Sequence, residues 1–371
     1  MRVNEYSASW LRRGFAWVYP AEVVGGAVTA GARVRIEAAG GACLGRGVAD
    51  DGWIAVRRFT PGDEAVEDAV RRLAGEAVTR RPGGLPSTAR RLVNAENDDL
   101  PGLRVDDYAG HLVVTLDSPS LEGLVDPLLA GVAIQSRSVH VAYRRDPRDH
   151  AATPSTRRER GDDPGDVVVQ EHGLSFVVRP ALGKDAGLFT DMRELRDFLR
   201  RHWQGREVLN LFAHTGAFSV AAAAGGARRV DSVDLSPGYL DRARQNFAAN
   251  GLPVEGHGFL AEDSFRALDR LRRTGQSFDT VVVDPPGYSR SDDGTWQGEK
   301  DWPRLAAACI RVTRPGGWLV ACSNLGTQSP RLFAGALAAG AERAGRQLRL
   351  LHEASPPPDH PAALHFPESR Y

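Results

Sequence analysis

Four short stretches in the second half of the chain carry residue types whose spacing suits cofactor and base chemistry. The first is Asn210-Leu211-Phe212-Ala213-His214-Thr215-Gly216-Ala217-Phe218-Ser219, an apolar strand that turns into a helix of small residues. Gly216 lets the backbone approach a ligand where a side chain would collide. A dinucleotide-binding turn would carry three glycines and set a pyrophosphate on the helix N-terminus. This turn has one glycine and no basic residue, so it suits a cofactor without phosphate. The second stretch ends a strand at Asp234, 18 positions after Gly216. A carboxylate there can accept both hydroxyls of a ribose. The third is Asp263-Ser264, after Gly258-Phe259-Leu260. An acid at that strand end can bond the exocyclic amine of adenine. The fourth, and most specific, is Asp284-Pro285-Pro286-Gly287-Tyr288. Two prolines fix the backbone beyond a strand end. Their carbonyls are expected to face a planar base, with Tyr288 stacked on it. Asp284 is expected to reach the cofactor's amino group or the base.

These stretches need a frame that sets all four strand ends side by side. From Val167 onward strands and helices alternate. Val208 to Phe212 reads as a strand, Ala217 to Ala224 as a helix, and Val230 to Val233 as a strand ending at Asp234. Ser236 caps the next helix, Pro237 fits its first turn, and Asn250-Gly251 ends it. Phe278 to Val283 is a strand, Leu305 to Val312 a helix, Pro315-Gly316-Gly317 a turn and Trp318 to Cys322 a strand. This rhythm implies a parallel, doubly wound sheet with ligands outside the carboxyl ends of its strands. The expected fold class is therefore α/β, with a β-rich module and an α+β segment before it. Residues 1–72 read as short strands punctuated by glycine, and 73–166 as a central α+β domain. The central domain ends in the charged, proline-bearing linker 144–166. The α/β domain takes residues 167–371. Helical spacing is also visible over 66–80.

Composition narrows the class further. The chain has 371 residues, 42% apolar, and a formal net charge of zero. There is no global pull toward nucleic acid or membrane, so a nucleic-acid partner must be read locally. Arg12, Arg13, Arg144, Arg145 and Arg148 are the candidate cations for such a partner. Cys43, Cys309 and Cys322 have no metal-ligand spacing, and no metal is expected. An odd cysteine count and the absence of a signal-peptide core point to a reducing, cytoplasmic compartment. No stretch has the apolar length of a membrane span.

The combined set resembles the RlmI-like class I methyltransferases of large-subunit ribosomal RNA. It comprises Asn210-Leu211-Phe212…Thr215-Gly216, Val233-Asp234-Leu235-Ser236, Asn250-Gly251-Leu252 and Asp284-Pro285-Pro286. Leu44-Gly45-Arg46-Gly47 is similar to that family's N-terminal PUA domain. Arg91-Leu92-Val93-Asn94 and Asp99-Leu100-Pro101-Gly102-Leu103 are similar to its central domain. Gly187-Leu188-Phe189-Thr190-Asp191-Met192-Arg193 resembles the segment entering the catalytic domain beside the cofactor. Asp359-His360-Pro361 and Phe366-Pro367-Glu368 resemble its C-terminal stretch. The resemblance implies S-adenosylmethionine as cofactor and base methylation of a structured RNA, 23S rRNA, with no membrane partner and a homodimer as an option. It implies Phe189, Asp191, Arg193, Phe212, Gly216, Asp234, Leu235, Asp263, Ser264 and Asp284 as cofactor residues. Pro285, Pro286, Tyr288 and Asn324 would meet the base.

The nucleophile divides the reading. Cytosine C5 becomes nucleophilic only after a thiolate adds to C6, and family members with that chemistry carry a cysteine after the Gly-Gly strand. Counted without a gap from Gly316-Gly317, its place holds Asn324, while Cys322 stands two positions earlier on the same strand face. Either Cys322 is the nucleophile, with Asp284 as its catalytic partner, or Cys322 is a small buried hydrophobe. In the second case Ser323-Asn324 resembles RlmK-type guanine N7 methyltransferases, which need no thiol. The resemblance tilts toward C5. The chain also ends at Tyr371, where relatives continue into a final strand. A nicotinamide dehydrogenase would share Gly216 and Asp234 but leave Asp284-Pro285-Pro286 unexplained. A decayed RNA-binding protein would not need the intact cofactor set.

Overall fold

The computed structural model describes residues 1–26, 29–143, 156–291, 294–326 and 328–366. It divides into two compact units, and each is described by itself. The first holds Met1–Val167, Val178–Ala186 and, among the described residues, 358–366. Its N-terminal part is a six-stranded sheet in the order Trp17–Val18, Val56–Thr60, Cys43–Ala49, Arg33–Ala38, Arg2–Val3, Val23–Gly25. Alternation along Arg33–Ala38 buries Val34, Ile36 and Ala38 and turns the arginines out.

A helix over Val66–Arg80 then lays Val66, Val70, Leu73 and Ala77 into one core with Leu92, Val105, Val114 and Val141. The last four lie on the five-stranded sheet built from Ala89–Asn94, Leu103–Tyr108, His111–Leu116, Ser138–Tyr143 and Thr156–Arg160. The expected boundary at residue 72 thus falls inside a helix whose apolar stripe belongs to the central sheet. The charged linker also needs correction. Residues 144–155, with Arg144, Arg145 and Arg148, lie outside the described residues. Thr156–Arg160, however, forms an edge strand antiparallel to Ser138–Tyr143. Its charges are tolerated because an edge strand has one open side, and Arg157 meets Glu122.

The C-terminal stretch returns to this first unit instead of extending the α/β sheet. Asp359 accepts the Arg91 N–H at 3.0 Å and the Asn94 amide donates to the Pro361 carbonyl at 3.0 Å. Phe366 stacks on Phe15 with centroids 4.8 Å apart. Pro367, Glu368 and the terminal residues lie outside the described residues.

The second unit holds Val168–Val177 and Gly187–Pro357. Its strands are β1 (Glu207–Leu211), β2 (Arg229–Asp234), β3 (Gly258–Ala261), β4 (Phe278–Val283) and β5 (Thr313–Ala321). All neighbours are parallel, in the order β3-β2-β1-β4-β5. Helices α1 (Arg193–Arg200), α2 (Ala217–Ala224), α3 (Pro237–Ala249), α4 (Ser264–Arg273), α5 (Gly298–Val312) and α6 (Pro330–Arg343) accompany them. Strands this buried read as apolar runs, as Thr280 to Val283 do. The turn expected at Pro315-Gly316-Gly317 is a bulge within β5. Phe278 faces Thr313 and Thr280 faces Trp318, so the residues between loop out, with Gly316 at φ +76°. A hairpin of Tyr288–Ser291 and Gly294–Gln297 follows β4. Another, Val167–Glu171 and Leu174–Val178, precedes α1 and turns at His172-Gly173, both with positive φ. No described helix is long and apolar enough to cross a membrane.

Candidate active site

The carboxyl ends of β1, β2 and β4 bring the expected residues to one edge of the sheet. Beyond β1 the backbone alternates into the left-handed region at Phe212 (φ +54°), His214 (φ +49°) and Gly216 (φ +76°). Two of these are not glycine, and such strain persists only where the surroundings hold it. Here the His214 N–H donates to Asp234 Oδ2 at 2.8 Å, and the Ala213 N–H to the Val233 carbonyl at 3.0 Å. The Thr215 hydroxyl donates to the Gly187 carbonyl, and the Asn246 amide donates to the Thr215 carbonyl at 2.8 Å.

A Cβ at Gly216 would lie 2.7 Å from the Ala243 Cβ on α3. The smallness of Gly216 also serves helix packing and a left-handed turn. Asp234 is held from both sides, since Oδ1 accepts the Ser236 N–H at 2.9 Å. Burial lifts its carboxyl above the ordinary range, against the pull of those N–H groups. Leu235 and Phe189 beside it are about half exposed, at 48% and 49%. The Phe189 ring packs on His214 with centroids 5.1 Å apart.

Asp263 caps α4, accepting from the Phe265 and Arg266 N–H groups at 2.8 and 3.2 Å, and Ser264 is buried in that first turn. Both capping bonds go to Oδ1, one of the two carboxylate oxygens. Phe212 turns toward Trp296 of the β4 hairpin, with centroids 6.4 Å apart. The Trp296 indole N–H donates to the Pro286 carbonyl at 2.6 Å. That bond takes one of the carbonyl's two lone pairs. Pro285 is buried, Pro286 exposed, and Tyr288 43% exposed.

The acidic centre of the site is Asp284. Burial and the neighbouring charge of Asp191 push its carboxyl up to about 7, with Arg196 pulling the other way. The Cys322 N–H donates to the Val283 carbonyl at 3.0 Å, which sets Cys322 level with the end of β4. Cys322 is 4% exposed. Burial, then Asp284 and Asp191, hold its pKa well above the ordinary thiol value. The surroundings of Cys322 thus favour the neutral thiol in the free protein. Asn324 is exposed in the loop after β5, and Leu325 fills the space beside Gly287 and Gly298. Arg193 is fully buried and its Nε donates to Glu194 at 3.3 Å.

Several working residues escaped the motif reading. Asn246 on α3 did, and with Asn250, the cap of that helix, it bonds the backbone of the entering hairpin. Asn246 accepts the Val177 N–H, and Asn250 both accepts from and donates to Ser175. Their signal was two amides on one face of a helix. Glu171 and Arg196 form a buried bidentate pair, and no local pattern announced it.

The donor set fits a cationic, ribose-bearing cofactor. Asp191 Oδ1 and His214 Nε2 are buried without a hydrogen-bond partner among the described residues, and two carboxyls stand close together. A family model for S-adenosylmethionine-dependent methyltransferases matches residues 118–364. The chain belongs to that family. The methyltransferase is 33% identical to ribosomal RNA large subunit methyltransferase I of Shewanella amazonensis, over 97% of this chain and 94% of that one. It is 34% identical to the enzyme of that name from Aeromonas salmonicida, with the same coverage. Among solved structures, a SAM-dependent methyltransferase from Streptococcus mutans matches with a TM-score of 0.87. It is 22% identical and covers 100% of this chain and 97% of its own. A methyltransferase crystallised with S-adenosylhomocysteine matches with a TM-score of 0.89 at 22% identity, over 100% and 97% of the two chains. The methyltransferase thus has the fold, and S-adenosylmethionine is its cofactor. Among the described residues no group of His, Cys, Asp and Glu could hold a metal ion.

Proposed function

We propose that this methyltransferase modifies a base of 23S ribosomal RNA in the cytoplasm, at cytosine C5. The relatives' shared name supports the RNA class. The observation that carries a base-directed reaction is Asp284, a carboxyl that burial and Asp191 push up to about 7, beside the Cys322 sulfur. When bound, S-adenosylmethionine supplies an electrophilic methyl group. Asp284, half-protonated near pH 7, can hold a proton at cytosine N3 and make C6 more electrophilic. The Cys322 sulfur then adds to C6, which breaks the C5–C6 double bond and makes C5 nucleophilic. C5 would take the methyl group as its bond to the cofactor sulfur breaks, leaving S-adenosylhomocysteine; loss of the C5 proton to a base and departure of the Cys322 sulfur from C6 would then restore the ring. Asp234 is proposed to hold the ribose hydroxyls, Phe189 and Leu235 to flank the adenosine, and Asp191 with Arg193 to line the methionine end. Tyr288 is proposed to stack on the base.

A second reading rests on a specific observation. Cys322 is buried with a raised thiol pKa, and exposed Asn324 stands where the nucleophile is counted. A ring nitrogen such as guanine N7 needs no thiol, and Asn324 would bond the base edge. Cys322→Ser separates the two. Under the C5 reading it abolishes turnover and spares cofactor binding, and RNA containing 5-fluorocytosine traps a covalent adduct on the wild type. An active Cys322→Ser enzyme that still makes 5-methylcytosine would sink the thiolate mechanism. An active variant with no adduct, together with an inactive Asn324→Ala, selects the ring nitrogen. The N-terminal module, with Arg12 and Arg13 exposed, is proposed as a PUA-like RNA-recruiting part.

A further inference from the structure

We infer that Arg196 is a positioning residue that fixes the Phe189–Asp191 segment for the cofactor by clamping it to Glu171. Arg196 is 4% exposed and Glu171 is 2% exposed. The Arg196 Nε and Nη2 each donate to one Glu171 oxygen at 2.7 Å, and Nη2 also donates to the Phe189 carbonyl at 2.9 Å. A buried ion pair seldom repays its desolvation in net stability. What this one provides is a fixed planar fork joining three pieces of chain: the entering hairpin at Glu171, α1 at Arg196, and the segment before α1 at Phe189.

The segment is held again one residue pair upstream, where the Thr215 hydroxyl bonds the Gly187 carbonyl. The Phe189 ring in turn packs on His214, whose N–H holds Asp234. A displaced Phe189 carbonyl would therefore disturb both Asp191 and the ring beside the proposed ribose acid. Charge points the same way. Asp284 is faced by Asp191 from the segment, by Arg196 from α1 and by Cys322 from the end of β5. Arg196 is the cation of this group, and Glu171 is the anion behind it.

The inference holds whichever base is methylated, and its test is calorimetric titration of the full-length protein with S-adenosylhomocysteine, alongside melting curves. Arg196→Lys keeps the charge and loses the fork; the Kd is expected to rise at least tenfold in the folded variant. Glu171→Gln is the second variant, which decides the matter even if Arg196→Lys does not fold. Its Kd is expected to rise several-fold. Any pH–activity midpoint set by Asp284 is expected to move lower, because Arg196, freed of its anion, then favours the Asp284 carboxylate. A merely structural pair would lower the melting temperature alone. Affinity within twofold of the wild type in either folded variant, or an unmoved midpoint in Glu171→Gln, would overturn the positioning role.

Discussion

At the residue scale the site is a set of carboxyls whose surroundings set their charge. Asp234 keeps both oxygens on backbone N–H groups, so its orientation is fixed before any ligand arrives. Asp234→Ala is expected to weaken S-adenosylmethionine binding by roughly 1.5–3 kcal/mol, the scale of hydrogen bonds to a charged group. Unchanged affinity in calorimetry would remove Asp234 from the site. Asp284 behaves differently, because burial and Asp191 raise it to about 7. Its folded value lies above the value of about 4 in an unfolded chain. Its stabilising share is therefore full below about pH 4 and lost as pH rises through about 7. Asp284→Asn cannot ionise. It is expected to gain stability over the wild type at pH 8 and none at pH 4, in urea melts at both values. Equal gains at the two pH values would show that Asp284 ionises normally.

At the element scale the loop after β1 is strained and over-determined. It is tied by Asp234 at the His214 N–H, by Asn246 at the Thr215 carbonyl and by the Gly187 carbonyl at the Thr215 hydroxyl, each from a different element. Gly216 is the tightest point, with a positive φ and α3 pressed against it. Gly216→Ala is expected to cost about 1–3 kcal/mol by crowding and backbone strain. An unchanged urea midpoint would mean that α3 yields freely at Ala243. The same crowding explains why the helix after β1 consists of small residues. It is covered on the inner side, with Phe218, Val220, Ala221 and Ala222 buried.

At the scale of the whole molecule, the chain passes from the first unit into the second and comes back. Asp359, Pro361, Ala363 and Phe366 all bond or stack within the first unit. Phe366, 1% exposed against Phe15, is expected to cost about 3–5 kcal/mol when cut to alanine. Calorimetric unfolding should show that loss while affinity for S-adenosylhomocysteine stays unchanged. A fall in that affinity would mean that the C-terminal stretch also supports the cofactor site. The sequence resemblance had placed this stretch with the catalytic domain by order along the chain alone.

The sequence by itself determined the parallel α/β unit, the strands ending at Asp234 and Asp284, and the helix Ala217–Ala224. It did so because strand-end acids, caps and apolar runs are local and periodic signals. The family followed from the same residues. Only the tertiary structure decided what occupied the chemical capacity of those residues. Trp296, ten positions on, takes the Pro286 carbonyl, the first turn of α4 takes Asp263, and Ala243 takes the space beside Gly216. It also set Cys322 among two acids that oppose its thiolate, and joined Glu171 to Arg196 across 25 positions. Charge interaction and burial depend on distance in space, and neither is written in spacing along a chain.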